Sequence, residues 1–240
     1  MPIQSFRARV SDSKLQTEKF WTLNLELIDP SRLSFQAGQY IILSIPGIDQ
    51  KRNYSIASSP AIDHAIELLI DISPSGLGST YLKNLKPGDE VQFMAPAGQF
   101  VLAQSDSDLG KEEQEIVFVA TGSGITPLRS MILDQLQNKK DTRQMTLYWG
   151  LRHENDLCWL EDFEELMNSF KNFQFHPVLS QASEEWSLCR GYVTDCLGIH
   201  AFPEKGGYYL CGNKRMIEDT QNILIGKSVK SEHIHVEKFY

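Results

Sequence analysis

Three chemically different side chains lie close together in the segment KRNYSIASSP, residues 51–60. Arg52 has a planar guanidinium that can bind a phosphate through two parallel hydrogen bonds. Tyr54 offers a flat ring for stacking, and Ser55 is small enough to lie beneath a ring and hydrogen-bond to one of its nitrogens. The three suit a ligand with a fused ring, a sugar-like chain and a phosphate. An edge strand with ordinary surface residues would show the same pattern.

A second candidate site is the segment FVATGSGITPLRSM, residues 118–131. Gly122 and Gly124 allow the backbone to approach a phosphate closely. Pro127 suits the first turn of a helix, whose N-terminal N–H groups attract a pyrophosphate. The segment predicts a nucleotide-binding turn between a strand and a helix, and a plain tight turn is the alternative.

Two further residues are expected at the carboxyl ends of parallel strands, where ligands of such sheets bind. Arg152 follows the strand MTLYWGL and could contact an adenosine phosphate or ribose, or be a solvated loop arginine. Cys211 ends the strand GYYLCG, on the same edge as Thr121. A thiol can pack beside a nicotinamide ring without competing for hydride, although a buried core cysteine is the simpler interpretation.

The two halves of the chain differ in the secondary structure that their sequence patterns predict. Residues 1–105 contain short strand-like runs separated by turn residues, which predict an antiparallel Greek-key β-barrel with one short helix near Gly78. The polar segment 106–115 is predicted to be a linker, and the pattern of residues 116–240 predicts strands that alternate with helices. That alternation predicts a doubly wound parallel α/β domain. The predicted strands are 20–28, 39–45, 65–72, 89–95, 115–121, 145–151, 173–180, 207–212 and 233–239; the predicted helices are 127–137, 160–170, one that starts within 191–198, and 215–224.

Composition restricts the classes of partner. The chain of 240 residues has a net charge of −8, which argues against nucleic acid as a ligand. No apolar run approaches the ~20 residues that span a bilayer, and the N-terminus lacks the apolar core of a signal peptide. We therefore expect a cytoplasmic protein. Cys158, Cys189, Cys196 and Cys211 form no CxxC motif or iron–sulfur spacing, so no metal site is predicted and all four are expected to be free thiols.

Six ordered motifs, which together extend over almost the whole chain, resemble those of the ferredoxin–NADP reductase superfamily. The sequence RNYS followed by SSP resembles its flavin motif, and GLGSTYL (76–82) resembles its second flavin motif. KPGDEV and PAGQF resemble its barrel signatures, while ATGSGITP and CGNKRMIEDTQ resemble its pyridine-nucleotide signatures. The CGN segment and the ending VEKFY are most similar to bacterial ferredoxin/flavodoxin–NADP reductases. The resemblance implies bound FAD, hydride transfer from NADPH or NADH, and electron delivery to a soluble ferredoxin or flavodoxin.

The resemblance also implies roles for individual residues. Ser55 would bond flavin N5, Cys211 would line the nicotinamide, and Glu237 would be the acid near the flavin, so these three are the expected catalytic residues. Phe239 and Tyr240 would place an aromatic ring over the flavin. The expected cofactor contacts are Arg52, Asn53, Tyr54, Ser55, Ile70, Leu77, Gly78, Ser79, Thr80, Thr121, Gly122, Gly124, Arg152, Gly212, Asn213, Met216, Phe239 and Tyr240.

Coenzyme and acceptor stay open at this stage. Gln181 in VLSQ stands where the most similar relatives carry arginine, and Arg190 is near enough in sequence to substitute for it. NADPH and NADH are therefore both retained. The chain has no cysteine-cluster domain, so its acceptor is expected to be a separate protein and the reductase itself a monomer. Two other functions compete: a reductase of free flavin, and a nucleotide-binding electron-transfer subunit of a larger complex.

Overall fold

The computed structural model describes residues 2–47, 49–73, 76–199, 202–203 and 205–239. The first half forms one six-stranded antiparallel sheet in the order β4-β3-β6-β1-β2-β5. Its strands are β1 (Gln4–Leu15), β2 (Phe20–Asp29), β3 (Tyr40–Ser44), β4 (Lys51–Ser55), β5 (Ala65–Asp71) and β6 (Glu90–Ala97). One helix, α1 (Leu77–Lys83), follows β5. Apolar residues alternate along these strands, as expected for a sheet with one buried face.

The two edges of this sheet approach each other and close it into a barrel. Ile56, one residue beyond β4, pairs with Leu68 of β5 in antiparallel fashion. The backbone N–H of Ala57 donates to the carbonyl of Glu67 at 2.8 Å. The residues that follow Ser55 are therefore fixed on both sides by the barrel.

The second half forms a six-stranded parallel sheet in the order β10-β9-β8-β7-β11-β12. Its strands are β7 (Glu115–Thr121), β8 (Gln144–Leu151), β9 (Phe173–Leu179), β10 (Cys189–Arg190), β11 (Gly206–Gly212) and β12 (Ile234–Lys238). Its helices are α3 (Ile125–Leu133), α4 (Leu160–Ser169), α5 (Val193–Ile199) and α6 (Lys214–Gly226), and α3 continues as one π-helical turn over Asp134–Lys139. Strand order reverses between β7 and β11, which opens a ligand-binding crevice at their carboxyl ends.

The predicted fold class, a β-barrel followed by a doubly wound parallel sheet, is confirmed. Three strands lie outside the predicted ranges: β1, in which only Phe6, Ala8 and Val10 form the buried face, β4, which was expected as a possible edge strand but given no bounds, and β10, which has only two residues. The segment expected to be a linker contains a five-residue helix, α2 (Asp108–Glu112), and Glu115 already belongs to β7. Ser107 caps α2, because its hydroxyl accepts from the N–H of Gly110 at 3.0 Å. The domain boundaries themselves stay a prediction.

The barrel and the parallel sheet share one apolar core. Phe20, Leu69 and Phe100 of the barrel side belong to the same buried cluster as Phe118 and Met131 of the nucleotide side. Polar contacts surround this core; for example, the Lys19 ammonium lies 2.6 Å from the Asp156 carboxylate. The two halves are therefore joined by a packed interior.

The expectation of four free thiols was wrong for two of them. Cys189 and Cys196 form a disulfide with a Cα–Cα distance of 6.1 Å. Cys189 is on β10 and Cys196 is on α5, and the turn at Gly191 brings these two short elements together, which spacing in the sequence did not reveal. Cys158 and Cys211 are free and buried. Within the described residues, no helix is long and apolar enough to cross a membrane.

Candidate cofactor-binding site

A cleft of about 730 Å³ lies between the barrel and the carboxyl ends of the parallel strands. Its floor comes from the ends of β7, β8 and β11, and its opposite wall comes from β2 and β5 of the barrel. The lining residues are Lys19, Phe20, Asp71, Ser73, Thr121, Gly122, Ser123, Gly150, Leu151, Arg152, Ser180, Gly191, Tyr192, Val193, Thr194, Gly212, Asn213, Arg215, Met216, Asp219 and Phe239.

The glycine turn after β7 presents an open backbone to this cleft. Gly122 has a φ of +55°, a left-handed conformation that favours glycine, and nothing lies within 4 Å of the position that a Cβ would occupy. The hydroxyl of Thr121 accepts from the N–H of Asn213 at 2.9 Å, so the ends of β7 and β11 are tied together. Gly124 packs against the backbone of Cys211 and Gly212 so closely that a side chain would not fit. The turn can therefore receive a phosphate at the N-terminus of α3.

A second cradle lies where the N-terminus of α1 meets β4. A Cβ at Gly78 would collide with the Tyr54 hydroxyl and lie 3.0 Å from Cγ of Arg52. Burial raises the pKa of Tyr54 to about 12, and the neighbouring Arg52 opposes that rise. The Arg52 guanidinium donates to the Lys51 carbonyl at 2.9 Å and to Oε1 of Gln50 at 2.8 Å. It makes no ion pair with any described residue, so its positive charge is available to an anion.

Glu237 brings a carboxyl group to the flavin-motif strand from the other half of the chain. Burial raises the pKa of Glu237 to about 7, and a hydrogen bond with the Ser55 hydroxyl partly offsets this rise. Its Oε2 is buried and has no hydrogen-bond partner among the described residues. Glu237 also lines a second cavity of about 620 Å³, between β12 and residues 98–101. The site therefore holds an unsatisfied polar atom that a ligand could engage.

Cys211 is directly opposite Glu237 in the register of β11 and β12. The thiol is fully buried. Burial, together with the nearby Glu237 carboxyl, raises the pKa of Cys211 well above its ordinary value. The thiol is therefore held in its neutral form beside the junction of the two predicted sites.

The remaining predicted contacts differ in accessibility. The Ile70 side chain is fully buried in the barrel core, so only its backbone is available to a ligand. Asn53, Leu77 and Thr80 are exposed near the α1 cradle, and Ser79 is buried within it. The Ser79 hydroxyl bonds the backbone of Gly76, donating to its carbonyl at 3.1 Å.

On the nucleotide side, Asn213 caps α6, since its Oδ1 accepts from the N–H of Arg215 at 2.9 Å. Met216 is nearly buried and lines the cleft. Phe239 is partly buried against the shared core and also lines the cleft. Tyr240 lies outside the described residues.

Sequence reasoning missed several residues of the cleft wall. Lys19, Phe20, Asp71 and Ser73 come from barrel strand ends that only the packing of the two halves brings to the cleft. No local sequence signal identifies them. Arg215 and Asp219 could have been found, because both lie within the CGNKRMIEDTQ segment, and they form an exposed pair at 3.6 Å.

The residues present fit FAD by three observations of this structure. Gly78 lets the start of α1 approach Tyr54 and Arg52 more closely than a side chain would allow, the Arg52 guanidinium has no acidic partner among the described residues, and Oε2 of Glu237 is buried without a partner among them. Together they offer a phosphate site, a ring-packing tyrosine and a polar contact near Ser55.

Comparison with known proteins identifies the two halves. Residues 7–102 match the oxidoreductase FAD-binding domain family, and residues 118–222 match the oxidoreductase NAD-binding domain family. Ferredoxin–NADP reductase B of Sorangium cellulosum is 32% identical over 228 residues, covering 90% of each chain. This chain belongs to the ferredoxin reductase family. It contains an FAD-binding domain and an NAD-binding domain, as predicted.

Reductase and electron transfer components of oxygenases are also similar to this chain. The reductase component DmpP of phenol 2-monooxygenase from Pseudomonas sp. (strain CF600) is 36% identical over 244 residues, covering all of this chain and 67% of DmpP. The electron transfer component of anthranilate 1,2-dioxygenase from Acinetobacter baylyi is 33% identical, covering 87% of this chain and 59% of that protein. The chain thus spans about three fifths to two thirds of the length of these components.

Solved structures agree with the fold. The Amycolatopsis reductase GcoB has a TM-score of 0.89 and 28% identity, covering 99% of this chain and 70% of GcoB. A ferredoxin NADP+ reductase from Neisseria gonorrhoeae with bound FAD and NADP has a TM-score of 0.79 and 20% identity, covering 100% and 98% of the two chains.

Proposed function

We propose that this family member is an FAD-containing reductase that oxidises NADH or NADPH and delivers the electrons to a separate acceptor protein. The observation that carries the proposal is the meeting of two half-sites: the part-buried Glu237 carboxyl interacts with Ser55 of the flavin-motif strand and lies opposite Cys211 in the register of β11 and β12. Relatives described as reductase components and as a ferredoxin–NADP reductase support the same activity.

FAD, when bound, supplies the hydride acceptor and releases the electrons to the next carrier. Arg52 and the backbone N–H groups at the start of α1 hold its phosphates, and Tyr54 packs against it. Ser55 and the Glu237 carboxyl hold a proton at the edge of the site. A carboxyl with a pKa of about 7 can exist in either protonation state near neutral pH, which suits an acid–base group.

The nicotinamide coenzyme is assigned to the cleft of the parallel sheet. The N–H groups at the start of α3 bind the pyrophosphate, since Gly122 leaves the approach open. Thr121 lines the crevice between β7 and β11, where the nicotinamide would enter, whereas Cys211 is fully buried at the end of β11 and does not line the cleft. Thr121, Asn213 and the nearly buried Met216 line that end of the cleft.

We infer that the coenzyme is NADH. The cleft continues from the switch point past Arg152 and Ser180, so the adenosine ribose of a bound coenzyme would lie over the ends of β8 and β9. A 2′-phosphate there requires several cations. The Arg190 guanidinium is not available, because its Nη2 donates to the carbonyls of Glu184 at 2.9 Å and of Trp186 at 2.6 Å. Lys19 is paired with Asp156.

The charge around this end of the cleft also disfavours a 2′-phosphate. Residues 150–156 and 180–195 contain five acids and two arginines. Only Arg152 of these two has its guanidinium free of hydrogen bonds to described residues. A doubly charged phosphate would therefore meet a net negative surface.

Anaerobic stopped-flow reduction of the bound flavin tests both the reductase and the coenzyme. We expect rapid bleaching of the flavin with NADH. The kcat/KM with NADPH should be at least about 100-fold lower, because the cleft lacks the charge-assisted hydrogen bonds that a 2′-phosphate needs. Gln181→Arg should raise the relative efficiency with NADPH about tenfold. Gln174→Arg, which adds the same charge to β9 outside the cleft, is the control. A preference for NADPH contradicts the coenzyme assignment, and a flavin that ignores both coenzymes contradicts the reductase.

The acceptor is proposed to be a small soluble electron carrier, such as a ferredoxin or flavodoxin, or the next component of an oxygenase system. We further propose that the reductase acts in the cytoplasm as a monomer. A reductase of free flavin is the alternative, and the Gly78 cradle disfavours it because it offers a site that retains FAD. Purified protein that is yellow and keeps its flavin on gel filtration supports the first function; colourless protein that oxidises NADH only with added flavin supports the second.

A further inference from the structure

Helix α3 is attached to both halves of the proposed site. Its N-terminus follows directly from the nucleotide-binding turn at residues 122–124. One face of the same helix contacts the backbone carbonyls of Ala57 and Ser58, which follow Ser55 by two and three residues. The Ser130 hydroxyl donates to the Ser58 carbonyl at 2.7 Å, and Nη1 of Arg129 lies 3.2 Å from the Ala57 carbonyl oxygen. A single rigid element therefore connects the turn that receives the coenzyme to the strand that receives the flavin.

Arg129 is the charged centre of this connection. Its Nη1 is 2.6 Å from the Glu67 carboxylate of β5, and its Nη2 is 3.1 Å from the Asp162 carboxylate of α4. Its Cζ lies 4.2 Å from the centroid of the Trp159 ring, within cation–π range. Only 12% of the Arg129 side chain is exposed. The planar guanidinium satisfies two acids, one from each half of the molecule, and no ammonium group could reproduce that geometry.

The barrel side of the connection is itself fixed. The N–H of Glu67 donates to the Ser58 hydroxyl at 3.1 Å, and the Glu67 carbonyl accepts from Ala57. These bonds adjoin the Ile56–Leu68 pair that closes the barrel. A shift of Arg129 would therefore move the backbone just after Ser55, rather than an isolated loop.

We propose that Arg129 and Ser130 are positioning residues, which fix the separation and orientation of the flavin site relative to the nicotinamide site. Neither residue lines the cleft, and the side chains of both are engaged by protein groups. The proposal rests on the reductase function stated above. Hydride transfer needs the donor carbon and the acceptor nitrogen held close and aligned, and a misplacement of about 1 Å can slow a reaction about 100-fold.

The test compares Arg129→Met, Arg129→Lys and Ser130→Ala with the unmodified holoprotein. The dissociation constants for FAD and for NAD+ are measured by fluorescence, and the first-order rate of flavin reduction is measured at saturating NADH. For Arg129→Met we expect both dissociation constants within about threefold of the original and a reduction rate that is about 10- to 100-fold lower. Arg129→Lys, which keeps the charge but loses the second carboxylate, should recover part of the rate.

Arg32→Met is the matched control. Arg32 forms an ion pair with Asp63 on the barrel surface, within one half of the molecule, so its loss should leave the rate unchanged. The proposal is overturned if the Arg129 variants keep the full rate, or if the rate falls only as FAD or NAD+ binding weakens. Should Arg129→Met fail to fold, Arg129→Lys and Ser130→Ala decide between these outcomes. Failure of the reductase function itself would appear differently, as no flavin reduction in the unmodified protein.

Discussion

At the residue scale, the protonation of Glu237 depends on the folded structure. Its carboxyl is part-buried, one oxygen has no partner among the described residues, and only the Ser55 hydroxyl favours the ionised form. An isolated buried carboxylate is unfavourable, so the group retains its proton to a higher pH than usual. The same property that suits it to acid–base work therefore destabilises the fold when the proton leaves.

This predicts a pH-dependent stability difference for Glu237→Gln. Folding raises the pKa of this carboxyl from 4.5 to about 7, so the unfolded chain ionises first and the folded state loses stability as the pH rises through that window. The glutamine variant cannot ionise and should become relatively more stable, by about 2 kcal/mol at pH 8 compared with pH 4. Urea unfolding at both pH values measures the difference. Parallel stability curves for the two proteins would contradict the raised pKa.

Gly78 allows a sharper test of the flavin cradle. A methyl group there would collide with the Tyr54 hydroxyl and crowd Arg52. We expect Gly78→Ala to fold but to bind FAD about tenfold more weakly, equivalent to about 1.4 kcal/mol. Gly226→Ala is the control, since nothing lies within 4 Å of that Cβ position. Flavin release on dilution measures the constants, and equal retention by both variants would place FAD elsewhere.

Much of this residue-level site could be predicted from sequence types, because Arg52, Tyr54, Ser55 and Gly122 carry their chemistry locally. What could not be predicted was which of them are buried and paired. The tie between Ser55 and Glu237 joins residues that are far apart in the chain, and the involvement of Arg190 with its own loop depends on backbone carbonyls. Such contacts are set by packing, which local patterns do not encode.

At the element scale, a buried carboxylate joins the segment between the domains to the last two strands. The side chain of Glu113 is fully buried; it accepts from the Tyr209 hydroxyl at 2.8 Å and contacts Nε2 of His235 at 2.7 Å. Burial would raise the pKa of Glu113, but the bonds from His235, Tyr209 and His233 outweigh it and lower that pKa. The network holds β12, which carries Glu237, against the rest of the sheet.

Glu113→Gln is therefore expected to destabilise the protein by about 2–4 kcal/mol at pH 7, because its buried partners lose an ionised acceptor. The lowered pKa means that this stabilisation exists above the ordinary pKa of glutamate and disappears as the pH falls through the lowered value. The difference between the two proteins should thus shrink in acid. Glu164→Gln, which changes an exposed side chain on α4 outside this network, is the control. A similar small effect for both variants in chemical denaturation would exclude the network as a stabiliser.

The elements themselves were largely predictable. Strands β7 and β8 and helix α4 follow their hydrophobic periodicity to within one residue. The two-residue strand β10 has too few residues to show any period, and it is defined only by its pairing with β9. The expectation of free thiols rested on a reducing cytosol, and the strand pairing that brings Cys189 close to Cys196 left no signal in the sequence.

At the scale of the whole molecule, the two domains are continuous in their interior. Phe20, Leu69 and Phe100 are buried by the parallel-sheet domain rather than by the barrel itself. The change from strand-rich to alternating strand–helix sequence predicted two domains. It did not predict the shared core, because each half has enough apolar positions to suggest a core of its own.

We expect the protein to unfold in one cooperative transition. Separating the halves would expose the shared apolar cluster and leave Arg129 without one of its two carboxylates. Neither domain is therefore expected to stay folded once the other has unfolded. Differential scanning calorimetry should give a calorimetric enthalpy equal to the van't Hoff enthalpy. Two resolved transitions, or a van't Hoff enthalpy well below the calorimetric one, would show that the domains unfold independently.

Because α3 is attached to both cofactor sites, the rate of the step between them should not depend on the viscosity of the solvent. A reductase whose halves close by a large swing must push water aside at every turnover, and a viscous co-solvent would slow it. Here the coenzyme turn and the flavin strand are bound to one helix, and a packed core fills the space between the domains. Thermal fluctuations then move both cofactor sites together. The step between them should proceed at the same rate in dilute buffer and in concentrated sucrose.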